Sequence, residues 1–255
     1  MRSTGGSLNS DIPLTILAVQ DTARLIMKNI FRKKYIISLT LLVLLLSPPL
    51  HSGDTSTCRI IGFSRNGEYL AFERYGIYDG SGFPYSEIFI VNAIQNSWAI
   101  TPRILIQGDT GEDDDADPRK KNLNRAAAEL ARFGIIAGNS GRAIQFEHSA
   151  DTETDLKRFT LKGISYALRL VEMSTERDCF GFGKAKIFEL TLTREHRTKT
   201  LQRDRALPRS RGCALRYTID QVYIYRNIIA VFIAVITPGF EGPNIRQLVV
   251  TGTLD

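Results

Sequence analysis

The chain has 255 residues, with 33 basic and 27 acidic side chains and a formal net charge of +6. Six of the basic residues and two of the acidic ones fall within residues 1–53, so the remainder carries 27 basic against 25 acidic side chains. This near balance argues against nucleic acid as a partner. About 200 remaining residues are enough for one domain with a substantial core, or for two small ones.

A short apolar run marks the N-terminal region. Residues 35–46 lie between a cluster of lysine and arginine and a Ser-Pro-Pro sequence. A membrane-spanning helix needs about 20 apolar residues, and proline ends a helix. The pattern therefore predicts a secretory signal peptide at residues 27–52, cleaved after Ser52 or after Gly53, and no stable membrane span after processing. The alternative is an uncleaved membrane anchor.

The expected boundaries of the chain follow from this signal. Translation from Met27 gives a signal peptide of ordinary length, so we expect residues 1–26 to be a gene-model extension. We expect the product to be secreted or periplasmic. The rest divides, within one domain, into an N-terminal β portion (53–107), an acidic linker and helix (108–142) and a C-terminal β portion (143–255).

The hydrophobic pattern is mainly that of β-strands. Apolar and polar residues alternate over residues 186–193, as in a strand with one wet face. Residues 228–236 are apolar throughout and predict a central strand buried on both faces. The run 159–171 changes phase at Gly163, which indicates either a β-bulge or two strands meeting at a bend. The predicted fold is mainly β, an antiparallel sandwich or a propeller-like meander.

One amphipathic helix is expected near residues 118–133. Asp117 suits the N-cap, Pro118 the first helical position and Gly134 the C-terminal stop. Apolar residues at helical spacing form a narrow stripe: Leu123, Ala126, Ala127 and Leu130.

No metal, cofactor or catalytic motif is complete. The acidic run before the helix starts like an EF-hand loop, but Pro118 and Asn124 stand where glycine and glutamate are required. A solvated linker that caps the helix is the preferred interpretation. The sequence contains no G-x-S-x-G elbow, and the glycines at 181–184 lack the spacing of a phosphate loop. We therefore expect no cofactor, no metal and no assigned catalytic residue.

Three cysteines belong to the expected exported part. None forms a C-x-x-C pair, which argues against a zinc site, and an oxidising compartment favours a disulfide. We predict a disulfide between Cys179 and Cys213. Cys58, close to the expected new N-terminus, is left as a free thiol or a partner bond.

The most suggestive surface is the aromatic and glycine-rich stretch at residues 75–85. Tyr78, Phe83 and Tyr85, with Asp79 beside them, form a candidate site that could stack against a sugar or a peptide. The alternative is that the rings pack over the end of the sheet and the glycines only make turns.

Two resemblances arise in these regions. Residues 63–72, FSRNGEYLAF, resemble the F-S-x-D-G-x-Y-x-A-F hairpin of WD40-like, TolB-type β-propeller repeats. The chain is also similar to a bacterial family of predicted secreted proteins, domain of unknown function 2259. The residues that carry this second similarity are the segments 62–64, 69–73, 79–86, 207–213 and 238–243. The similarity implies export and gives no activity.

These observations favour an exported, non-enzymatic binding or interaction protein of the cell envelope. Its expected partner is an envelope protein or a glycan. The alternative is an envelope polysaccharide or peptide hydrolase that uses acidic residues near the aromatic loop; such an enzyme needs two carboxylates about 5–10 Å apart. A third possibility, a purely structural partner, would leave a large exposed apolar patch.

Overall fold

The computed structural model describes residues 53–106, 117–146, 155–240 and 242–255. The expected gene-model extension, the expected signal peptide and most of the acidic run lie outside the described residues, and they stay predictions. No helix within the described ranges is long and apolar enough to cross a membrane.

The described chain forms three antiparallel sheets and two short α-helices. The strands are β1 (Thr57–Phe63), β2 (Tyr69–Ile77), β3 (Pro84–Asn92), β4 (Ser97–Trp98), β5 (Arg103–Ile106), β6 (Arg142–Ala143), β7 (Asp155–Leu161), β8 (Ile164–Asp178), β9 (Lys184–Arg194), β10 (Arg197–Arg203), β11 (Arg216–Tyr225), β12 (Ile228–Thr237) and β13 (Asn244–Thr253). The helices are α1 (Pro118–Arg125) and α2 (Ala127–Arg132), and a 3-10 helix lies at Arg209–Arg211.

The three sheets stack as layers. The first has the order β1-β2-β3-β4, with β5 also paired to β3; the second has the order β10-β9-β8-β7, and the third β13-β12-β11-β6. The third sheet lies in the middle, with the first sheet on one face and the second sheet on the other. The helices pack on the outer face of the first sheet. The predicted mainly β, antiparallel sandwich is therefore confirmed.

Strand β12 is the centre of this arrangement, as its apolar sequence predicts. Residues 228–235 are all buried, and alternate side chains enter different cores. Phe232 packs with Phe72 and Phe89 between the first and third sheets. Val231 and Ile233 face the opposite way, into the core shared with the second sheet. A strand covered on both faces needs no polar alternation, and this explains its sequence.

The propeller alternative is not supported. The hairpin expected from residues 63–72 is present, and Phe63 pairs with Leu70 across β1 and β2. The helices, however, cover the outer face of the first sheet. The stack of sheets ends there, and the described sheets do not close into a ring as propeller blades do.

The phase change at Gly163 is a hairpin turn. Strands β7 and β8 pair antiparallel from Leu161↔Ile164 outward, so only Lys162 and Gly163 connect them. Both residues have positive φ, 50° and 79°, as a two-residue type I′ turn requires. The bulge alternative is therefore wrong. The alternative of two strands meeting at a bend predicted two strands correctly, but it did not predict that the chain reverses direction between them. A Lys-Gly pair indicates a hairpin turn less clearly than Asn-Gly does.

The helix expected near residues 118–133 is divided in two at Ala126. The Asp117 carboxylate accepts a hydrogen bond from the backbone N–H of Arg119, and Gly134 adopts φ 62° after the last turn, so both predicted ends are correct. The buried Asn122 amide donates to the backbone carbonyls of Ser86 and Arg103, which fixes α1 on the sheet. The apolar residues of α2 pack separately on the same sheet. A turn at Ala126, with ψ −4°, joins these two anchored segments.

The structure joins Cys179 and Cys213 in a disulfide, the pair that the sequence predicted. The bond connects the turn after β8 to the segment before β11, beside the buried Ala185. It therefore links the second sheet to the third.

Cys58 is a free cysteine on β1, and it packs against the core between the first and third sheets. Burial raises the pKa of its thiol from 9.0 to about 12. We expect the native protein to react with a disulfide reagent at pH 8 about a thousandfold more slowly than the urea-unfolded chain, because the thiolate is the reactive form. Ellman's reagent in the two solvents measures both rates. Equal rates would contradict the buried position.

The sign of the stability effect follows from the same shift. The unfolded chain releases the Cys58 proton near its ordinary pKa of 9.0, whereas the folded chain retains it up to about 12. The folded state is therefore progressively disfavoured as pH rises through this window.

Candidate functional site

A cleft of about 590 Å³ opens between the first sheet and strand β13. Its apolar lining includes Phe89 of β3, Trp98 of β4, Ile104 of β5 and the pair Leu248 and Val249 of β13. Trp98 and Ile104 are 54% and 56% exposed, although both are large apolar side chains. The opposite wall comes from the segment around the 3-10 helix, including Pro208, Ser210 and Arg211.

The alternation of β3 places both apolar and charged side chains in this region. Tyr85, Glu87, Phe89 and Val91 share the face of β3 that points to the third sheet, because side chains alternate along a strand. Phe89 and Val91 enter the core there, whereas Glu87 lies at the margin of that core and lines the cleft. The alternation of side chains along β3 thus places apolar residues in the core and a charged residue at its border.

Two arginines hold the Glu87 carboxylate at one end of the cleft. Arg74 Nη2 lies 2.8 Å from Glu87 Oε2, and its other terminal nitrogen donates to the Gln247 carbonyl at 2.6 Å. Arg246 Nη1 lies 3.8 Å from Glu87 Oε1 and also binds Asp54 at 2.5 Å. The Arg74 guanidinium stacks 4.4 Å from the centre of the Phe89 ring. The four charges balance one another, as burial requires.

The predicted aromatic site lies behind this charged end. Tyr78 stacks on Tyr85 with ring centres 4.2 Å apart, and the Arg246 guanidinium lies 5.1 Å from Tyr78 and 5.4 Å from Tyr85. The Tyr85 hydroxyl donates to Asp54 at 3.3 Å. Tyr85 is buried, so its ring supports Arg246 and is not open to a ligand. Phe83 is exposed and Asp79 is partly exposed, and neither lines the cleft.

Burial and charge act in opposite directions on two groups here. Burial raises the pKa of the Tyr85 phenol, more than the nearby Arg246 lowers it. Burial alone would lower the pKa of Arg246, but the hydrogen bond and the charge of Asp54 outweigh it, and the pKa is raised. Tyr85 therefore stays neutral and Arg246 stays charged at neutral pH.

A second charged contact joins helix α1 to the outer face of the first sheet. Arg119 Nη2 binds the buried Glu73 at 2.9 Å, and the guanidinium carbon of Arg119 lies 3.5 Å above the centre of the Tyr75 ring. The buried Ser86 hydroxyl also donates to Glu73. This contact fixes the helix on the sheet and lies on the other face from the cleft. Glu73 within an apolar strand was the sequence signal for it.

The charged groups that line the cleft are few, and they are paired. Among its described lining residues Glu87 is the single carboxylate, and it is held by two arginines. The described residues contain no group of three or more side chains placed to hold a metal ion. The sequence predicted Tyr78 and Tyr85, which lie behind the charged end and do not line the cleft, and it did not indicate Trp98, Ile104 or Arg246. The single tryptophan of the chain, placed in a very short strand, was the one available signal.

Comparison with known proteins identifies the family. The family model described as "Predicted secreted protein (DUF2259)" matches residues 71–253. The chain belongs to this family. The match runs from β2 to β13 and so includes every lining residue of the cleft, and the expected secretion agrees with the description of DUF2259. No curated protein and no solved structure matches the chain.

Proposed function

We propose that this DUF2259 protein is a non-enzymatic binding protein of the cell envelope and that the cleft beside β13 takes its ligand. The observation that carries the proposal is the pair Trp98 and Ile104, two large apolar side chains left more than half exposed at an open cleft. Concave apolar sites with a few placed polar groups are the usual form of a ligand site.

The charged end of the cleft supports binding over hydrolysis. A glycosidase needs two carboxylates with separate roles as acid and as base or nucleophile. Glu87 is paired with Arg74 and Arg246 and has no second carboxylate beside it among the described lining residues. Arg246, whose side chain is one third exposed, instead offers donors to a polar group of a ligand.

Trp98 makes the proposal directly testable, because it is the only tryptophan of the chain and it lines the cleft. Two probes are used: a random nonapeptide mixture, and a soluble N-acetylglucosamine oligomer as a model envelope glycan. We expect one of them to shift the Trp98 emission to shorter wavelength as the ring leaves water. Ile104→Glu should weaken that binding about tenfold or more, given the value of burying an isoleucine side chain.

Ile77→Glu is the matched control for this experiment. Ile77 is 62% exposed, similar to Ile104, but it does not line the cleft. The control should therefore bind like the unaltered protein. The proposal fails when neither probe changes the Trp98 emission, or when both glutamate variants weaken binding equally.

A further inference from the structure

The outer edge of β13 determines what kind of ligand the cleft fits. β13 is the last strand of the third sheet, paired with β12 on one side only. The backbone N–H of Ile245 donates to the Asp54 carbonyl at 2.8 Å, and the Ile245 carbonyl accepts from the Ser56 N–H at 2.9 Å. The backbone N–H and carbonyl of Ile245 therefore point away from β12. In an antiparallel pair every second residue does the same, which places Gln247, Val249 and Thr251 on the outer edge.

Two of these outward residues are already bonded within the protein. The Gln247 carbonyl accepts from Arg74, and the Thr251 N–H donates to the Asn96 side chain at 2.9 Å. Val249 lies between them and lines the cleft. Among the described residues, neither its backbone N–H nor its carbonyl has a partner outside the sheet. A donor and an acceptor of one strand edge therefore face the open cleft.

The chain itself shows how this edge is used. Residues 54–56 run parallel to β13 and pair with it at Thr55↔Ile245. After Ser56 the chain turns away to form β1, and beyond it no other described backbone segment pairs with this edge of β13. From Gln247 to Thr251 the remaining edge extends about 13 Å at the usual rise per residue. A second extended segment can continue the pairing that residues 54–56 begin.

The walls of the cleft fit the side chains of such a segment. Successive side chains of an added strand point to opposite faces. One set would meet Phe89, Trp98 and Ile104 on the side of the first sheet, and the other would meet the wall at Pro208. Arg246 keeps a third of its side chain exposed although Asp54 binds it, so an acidic side chain or a terminal carboxylate has a partner at that end.

We propose that the ligand of the cleft is an extended polypeptide segment that adds as a strand to the outer edge of β13 at Val249. The inference rests on the proposed function and names its ligand class. Main-chain hydrogen bonds to Val249 supply affinity that is independent of sequence, and the two walls supply selectivity, as in other cases of strand addition.

The test uses a peptide selected from a random nonapeptide library and Trp98 emission as the readout. Val249→Pro removes the outward N–H but leaves the bonds to β12, because proline is tolerated on the free side of an edge strand. We expect it to weaken binding about tenfold or more. Thr160→Pro, on the edge strand β7, is the matched control. Thr160 lies opposite Ser165, whose carbonyl accepts from the Glu195 N–H after β9 and so points away from β7. The backbone N–H and carbonyl of Thr160 therefore point away from β8, to the free edge.

A second measurement does not depend on how the proline variant folds. The alternate amides of the peptide are N-methylated in two registers, one set of alternate residues in each. One register should weaken binding about tenfold and the other little, because only one edge of the peptide faces β13. Hydrogen exchange of the Val249 amide in the unaltered protein should slow at saturating peptide.

The outcomes separate the two proposals. Equal affinity of both N-methylated registers, with unchanged exchange at Val249, overturns strand addition. A glycan oligomer that shifts Trp98 emission when no selected peptide does so also overturns it, while the proposed binding function stands. When neither probe affects Trp98, both proposals fall.

Discussion

Replacing Phe232 by alanine is expected to lower the free energy of unfolding by about 3–5 kcal/mol, the usual cost of removing a fully buried aromatic ring. Phe232 is 1% exposed, and its ring meets Phe72 edge-on at 5.3 Å and Tyr223 at 5.9 Å. The surrounding rings belong to two different sheets, so they cannot close the cavity without separating those sheets. Urea unfolding followed by circular dichroism measures the change.

Phe240→Ala provides the matched control. Phe240 is 93% exposed in the loop after β12, and its removal should change the free energy of unfolding by about 0.5 kcal/mol or less. The interpretation of β12 as a strand shared by two cores is contradicted when Phe232→Ala costs no more than Phe240→Ala.

Removing the disulfide is the second large effect. The double variant Cys179→Ala/Cys213→Ala should lose about 3–4 kcal/mol, the chain-entropy value for opening a loop between cysteines 34 residues apart. Alanine at both positions avoids burying a hydroxyl group, since both cysteines are buried. Urea unfolding of the variant against the unaltered protein gives the difference.

A chemical control accompanies the double variant. Reducing the unaltered protein with a thiol reagent should reproduce the loss of stability of the double variant. Cys58→Ala keeps the disulfide and should lose as much stability with reductant as the unaltered protein, whereas the double variant should not respond to the reductant. A free energy of unfolding that is the same with and without reductant would contradict a stabilising bond between Cys179 and Cys213.

Local sequence patterns predicted the elements whose causes are local. The apolar run of β12, the N-cap at Asp117 and the stop at Gly134 each depend on a few neighbouring residues, and the structure has them where expected. The Lys162-Gly163 turn and the division of the helix at Ala126 depend on pairing partners and on anchoring to the sheet. These contacts are not visible in a short window of sequence.

The cleft could not be predicted because its walls come from distant parts of the chain. Trp98 and Ile104 lie in short strands near the start of the fold, Arg211 follows the second sheet, and Val249 lies near the C-terminus. The aromatic stretch was a partial guide, since Tyr78 and Tyr85 support Arg246 from behind. The burial of Tyr85 accompanies a hydrogen bond from its hydroxyl to Asp54, a contact that the sequence of the aromatic stretch does not show.

The position of β12 has a consequence for a protein of an exported family. The first sheet is formed by residues before 107, but the face that carries Phe72 and Phe89 is covered by residues of β11, β12 and β13, near the end of the chain. A chain that crosses a membrane from its N-terminus cannot complete this half until its last strands have followed. In a chain exported in this direction, this half folds only after the last strands have emerged, so its strands stay extended during the passage.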